Sequence, residues 1–106
     1  MDIPETIKIL NFTYQVSDMS LEDFKEAPLY GKHSSPNLKM YFDPTQPAEQ
    51  LRDTLLHECL HAIINAYNLP IDREEEEEFV TLFSPALIRF FDDNTDLALS
   101  IAFGDI

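Results

Sequence analysis

The sequence predicts a small α+β domain in which a short sheet comes first and helices follow. Three observations predict it. Apolar and polar residues alternate from Leu10 to Val16 and again from Leu38 to Phe42, the period of half-buried strands. Two long stretches, from about Pro47 to Asn68 and from Asp72 or Arg73 to about Phe91, carry helical spacing instead. Pro28, Ser35-Pro36-Asn37, Asn68 to Pro70 and Asp92-Asp93-Asn94 punctuate the chain where one pattern gives way to the next. The expected architecture is a small, mostly antiparallel sheet packed on the first long helix and on a second helix that opens with glutamates.

The first strand signal, Ile7 to Val16, has one solvated face. Residues Asp18 to Ala27 read as a short helical turn or an irregular connection, ended by Pro28. Leu38, Met40 and Phe42 alternate with Lys39, Tyr41 and Asp43, and Gly31 to Ser34 suggest a further strand or hairpin arm. Asp43-Pro44-Thr45-Gln46-Pro47 is helix-start chemistry: a capping Asp or Thr, with proline in the first turn. The second helix has acidic side chains crowding its first turn, where the helix dipole favours them. Its apolar stripe includes Phe79, Val80, Phe83, Leu87 and Phe90; Pro85 lies within it, so a kink or break is expected there. Thr95 to Phe103 can form a short terminal helix.

A length of 106 residues suits one domain, 1–106, with a modest core, and 44% hydrophobic residues place it among globular chains. No apolar run reaches transmembrane length, and the start MDIPETIKIL lacks the basic region and apolar core of a signal peptide, so a cytoplasmic location is expected. Seven basic against 20 acidic residues give a formal charge of −13, which repels phosphate backbones and argues against nucleic acid as a ligand. It favours a basic partner instead. The single cysteine, Cys59, allows no intrachain disulfide and is expected to be a buried structural thiol.

The chemistry concentrates at His57-Glu58-Cys59-Leu60-His61, an HExxH pentad inside the first helix. Residues four apart share a helix face, so His57 and His61 can offer imidazole nitrogens to one metal ion. Glu58 lies about 100° round the helix, beside the ion, where it can accept a proton from metal-bound water. The flanks Leu51, Leu55, Leu56, Leu60, Ala62, Ile63 and Ile64 are apolar, and histidines and a glutamate stacked in such surroundings are costly unless something binds them. Zinc held by two imidazoles and one carboxylate keeps a position for water and lowers its pKa to about 7, so the pentad is the skeleton of a hydrolytic Zn2+ site.

Two histidines rarely hold zinc alone. The run Glu74 to Glu78 begins about 13 residues past His61, and an antiparallel return would lay it near the metal. The inward residue should share a face with the apolar stripe. Periodicity slightly favours Glu76, which has Phe79, Val80 and Phe83 at +3, +4 and +7, over Glu77; Glu78 remains a third option. His33 from the sheet is a further alternative.

The stretch Thr54-Leu-Leu-His57-Glu58-Cys-Leu-His61-Ala-Ile, followed by a Glu-rich helix start, resembles compact gluzincin-type zinc metallopeptidases. The similarity is to ImmA/IrrE-like domains and to short phage- or prophage-encoded metallopeptidase-like proteins. It covers roughly residues 29–94, with the Tyr30-Gly31-Lys32 turn and the Leu38-to-Phe42 strand resembling the sheet that leads into the helix. The resemblance implies a zincin-like fold, His57, His61 and a downstream glutamate as zinc ligands, and Glu58 as general base. The family's glutamate precedes a small or aliphatic residue by three, which implies Glu77 before Val80. The helix-turn-helix or other appended module of larger members is not expected within these 106 residues. No residue stands at a recognisable spacing to stabilise an oxyanion; Tyr30, His33 and Tyr67 are candidates.

The expected function is therefore a zinc-dependent peptidase acting on a protein or peptide substrate, which the edge near Leu38 to Phe42 could align by strand addition. One alternative is a metal-stabilised module that binds a peptide without cutting it, in which Glu58 is dispensable. Another is a metal-free interaction protein. Leu97 to Ile106 could be core, a dimer surface, or a segment covering the cleft, and the oligomeric state is open.

Overall fold

The structure is a computed structural model and describes residues 3–20, 31–34 and 37–104, without the side chains of His33 and Ser34. Among the described residues it is an α+β fold of four strands and three helices. The strands are β1 (Thr6–Ile9), β2 (Phe12–Asp18), β3 (Gly31–Ser34) and β4 (Lys39–Phe42). The helices are α1 (Ala48–Ala66), α2 (Arg73–Asp93) and α3 (Thr95–Phe103). From residue 21 onward, the expected short helical turn before Pro28 falls outside the described residues.

The sheet order is β1-β2-β4-β3. β1 pairs antiparallel with β2 and β3 with β4, while the central pair β2 and β4 is parallel, with Val16 opposite Met40. The sheet is thus mixed, because the β3–β4 hairpin docks through β4 instead of following β2 antiparallel. The single strand expected over residues 7–16 is a hairpin. Ile9 pairs with Phe12 across the two-residue turn Leu10-Asn11, and Leu10 takes a left-handed φ of 55°.

Alternation places Ile9, Tyr14, Met40 and Phe42 in the core, with Val16 and Leu38 packed against them. The stripe Leu51, Leu55, Cys59, Ala62, Ile63 and Ala66 of α1 covers this face. These positions recur at helical spacing, so one side of α1 is committed to the sheet. β3 comes closest: a Cβ on Gly31 would lie 2.7 Å from Thr54 Cγ2 and 3.0 Å from Phe42 Cδ1. No side chain larger than hydrogen fits there without displacement.

The start of α1 departs from the expected cap. Its N-cap is Pro47, with no side-chain capping bond. Asp43 organises the preceding loop instead: its Oδ1 accepts from Thr45 N at 2.8 Å and from Thr45 Oγ1 at 2.7 Å. The far end of α1 closes as a Schellman motif. Asn68 turns left-handed at φ 49°, Leu69 N bonds Ile64 O, and Asn68 N bonds Asn65 O. Pro70 then prevents continuation.

α2 runs through Pro85 as one helix, so of the kink or break expected there the break does not occur. Pro85 is exposed, as is Thr81 four residues before it, so water can satisfy the carbonyl that proline leaves without its helical donor. α2 returns along α1 on the side away from the sheet. No helix among the described residues is long and apolar enough to cross a membrane.

Candidate metal centre

With one side of α1 held to the sheet, helical spacing turns Asp53, His57 and His61 to the opposite side, where α2 packs. The side-chain bonds between these helices run in opposite directions along the numbering, as an antiparallel pair requires. His61 meets Glu76, His57 and His61 meet Glu77, Asp53 meets Ser84, and Arg52 meets Asp92. Val80 and Ser84 are the buried residues of α2. Ser84 Oγ donates to Asp53 Oδ1 at 2.6 Å, which gives the inward hydroxyl a partner.

The two histidines converge through the same atom: His57 Nε2 and His61 Nε2 lie 3.2 Å apart. Glu77 reaches across from the second turn of α2, with Oε1 3.2 Å from His57 Nε2 and Oε2 2.7 Å from His61 Nε2. One donor atom from each of the three residues falls within 4.8 Å of the others. Bonds of 2.0–2.1 Å in tetrahedral geometry set ligand atoms about 3.3 Å apart. The two 3.2 Å separations match that edge length. The 2.7 Å contact is a hydrogen-bond length, and an ion would require Glu77, whose side chain is two-thirds exposed, to draw back by about half an ångström.

Glu76 occupies a different position from the one periodicity suggested. Its Oε2 lies 2.6 Å from His61 Nδ1, on the ring edge away from the cluster. With the Nδ1 proton donated to Glu76, the Nε2 lone pair of His61 points towards His57 and Glu77. Lone pairs and a carboxylate then face one another at short range. Only a cation or an additional proton makes that arrangement favourable, so this donor set suits a divalent ion. The helix spacing brings both glutamates to His61 because Glu76 and Glu77 straddle the line of contact with α1.

No family model matches this chain, and neither a curated protein nor a solved structure matches it.

The remaining candidates fall elsewhere. Glu58 is buried at 7% exposure, between the histidine side and the sheet side of α1, and is outside the three-residue cluster. Glu78 is exposed and also outside it. Tyr67 caps the C-terminal end of α1 at 54% exposure. Tyr30 and the His33 side chain lie outside the described residues. Cys59 packs against the sheet core, and burial, reinforced by the neighbouring Glu58 charge, pushes its thiol up to about 11. Such a thiol stays protonated and unreactive at neutral pH, in keeping with a structural role. The Glu76 contact was hidden from sequence reasoning because a single-ligand search asks which glutamate faces the metal, not which one backs a histidine.

Proposed function

We propose that this chain is a zinc-dependent peptidase of the compact gluzincin type, with His57, His61 and Glu77 as ligands and Glu58 as general base. The observation that carries this reading is the convergence of His57 Nε2, His61 Nε2 and the Glu77 carboxylate on an HExxH helix, with contacts of 3.2, 3.2 and 2.7 Å. Bound zinc supplies a Lewis acid and an acidified water. Glu77 contributes the negative charge that two neutral imidazoles lack. Glu76 holds the proton of His61 at Nδ1 and fixes the ring plane. Glu58 accepts the water proton at its carboxylate and returns it to the nitrogen of the leaving amine. An extended peptide supplies the scissile carbonyl, and the acidic chain favours a cationic segment around it.

The burial of Glu58 favours a second reading, a metal-stabilised peptide-binding module without turnover. One comparison separates the two. Zinc content by elemental analysis and cleavage of a quenched-fluorescence peptide library are measured for the chain and for Glu58→Gln. The peptidase reading expects about one zinc in both and a rate loss of at least about 100-fold in the variant. Zinc in both with no cleavage by either would favour the binding module. Absence of zinc from the supplied chain would remove both readings.

A further inference from the structure

Away from the metal cluster, α2 and α3 carry an apolar surface that no described element covers. Phe79, Phe83, Ala86 and Phe90 fall within an arc of about 60° on α2, a continuous stripe over three turns. The three phenylalanines are 39–45% exposed, and the rings of Phe79 and Phe83 stack at 5.1 Å. α3 follows α2 directly after the turn at Asn94 and is exposed as well. It is apolar nearly all round yet buries no residue, with Ile101 60% and Phe103 79% exposed. A helix of that composition belongs in an interior. The molecule is also extended, 45 × 32 × 25 Å with a radius of gyration of 14.3 Å, against about 13 Å for a compact domain of this length. Apolar exposure on this scale marks an interaction site.

The charges around it select the occupant. Residues 73–103 carry eight carboxylates against two arginines, and the exposed Glu75, Glu78, Asp93 and Asp96 lie along the two helices that bear the apolar face. A second copy would bring the same eight carboxylates against these, within a chain already at −13. Anionic headgroups meet the same repulsion, and nine helical residues span only about 14 Å, half a bilayer core. A segment with an apolar face bordered by lysine or arginine satisfies both the apolar stripe and its acidic margin. We propose that the Phe79–Phe83–Phe90 stripe of α2, together with α3, is a docking surface for a basic amphipathic segment of another protein. It does not depend on the metal reading.

The test uses a fluorescein-labelled Leu/Lys peptide of roughly 14 residues patterned as an amphipathic helix, its scrambled isomer, and a Leu/Glu analogue. Binding to the full chain is read by anisotropy, alongside sedimentation velocity of the chain alone. The patterned basic peptide is expected to bind at least about tenfold tighter than the other two, and the double variant Phe83→Ser/Ile101→Ser to lose at least about tenfold. Both replaced residues are exposed, and unchanged far-UV circular dichroism together with an unchanged melting temperature verifies the variant's fold. Equal binding of patterned and scrambled peptides, or no effect of the variant, overturns the proposal. So does a dimer of the chain that the same variant dissociates, since the occupant is then a second copy.

Discussion

At the scale of single residues, the two glutamates that contact His61 divide one task. Glu77 adds a donor atom to the cluster, whereas Glu76 works through the far nitrogen of the ring. Their replacements should therefore differ in degree. Glu77→Ala removes one of the three proposed ligands, and zinc affinity by competition with a chromophoric chelator is expected to fall at least about 100-fold. Glu76→Gln leaves the ligands in place but weakens the bond that orients His61, and a loss of about 10- to 100-fold is expected. Nitrogen-15 NMR of the metal-free chain should show His61 moving from the Nδ1–H towards the Nε2–H form in Glu76→Gln and not in Glu77→Ala. Equal effects of the two variants would contradict the division. The pentad was legible because its spacing is a property of any helix. The split between Glu76 and Glu77 was not, because adjacent residues differ by about 100° and the choice depends on where α2 crosses α1. Periodicity within α2 points at the apolar stripe, while the contact with His61 is set by a line between two helices.

At the scale of elements, the close approach of β3 to α1 gives a sharp expectation. Gly31→Ala places a methyl against Thr54 Cγ2 and the fully buried Phe42 ring. Phe42 has nowhere to go, and Thr54 is held by its Oγ1 bond to Gln46 Oε1 at 2.9 Å. Overpacking of this kind costs about 1–3 kcal/mol, to be read from urea unfolding midpoints. Thr54→Ser in the same background removes Cγ2 and keeps the hydroxyl, so part of that loss should return. At the other end of the α1–α2 pair, Arg52 Nη2 and Asp92 Oδ1 lie 2.6 Å apart on the surface. The hydrogen bond from Arg52 holds the Asp92 carboxyl below the ordinary carboxylate range. The unfolded chain then binds more protons in that range, so the pair's contribution is present above the ordinary carboxylate value and is lost as pH falls through the folded one. Arg52→Met should therefore lower stability slightly at neutral pH, by no more than the small worth of an exposed pair, and the difference from the parent chain should vanish as pH falls through the folded value. The helices were legible from spacing and from Asn68 and Pro70. The β1–β2 turn was missed because Leu10-Asn11 carries neither glycine nor proline, and Leu10 enters the left-handed region under the pull of the Ile9–Phe12 pairing.

At the scale of the whole molecule, the sheet side and the α2 side of α1 are held together by different means. Six buried residues form the core between the sheet and α1, whereas the α2 side of α1 carries carboxylates, imidazoles and a serine beside the buried Ile64 and Val80. Nothing local in residues 97–103 said whether their apolar character served a core or a surface, because that depends on whether another layer lies beyond α2. An ion shared by His57, His61 and Glu77 should be a further tie between the two helices. Ligand linkage then gives about 2.7 kcal/mol at a free zinc concentration of 100 times Kd. For a domain of this size that corresponds to a rise in melting temperature on the order of 10 °C, measured by circular dichroism with zinc and with chelator. His61→Ala should melt at one temperature in both conditions. Amide hydrogen exchange should place the zinc-dependent protection in α2 and the C-terminal half of α1, leaving β2 and β4 unchanged. Protection spread evenly over the sheet would mean instead that the ion acts on global folding, and that the polar α1–α2 seam already holds without it.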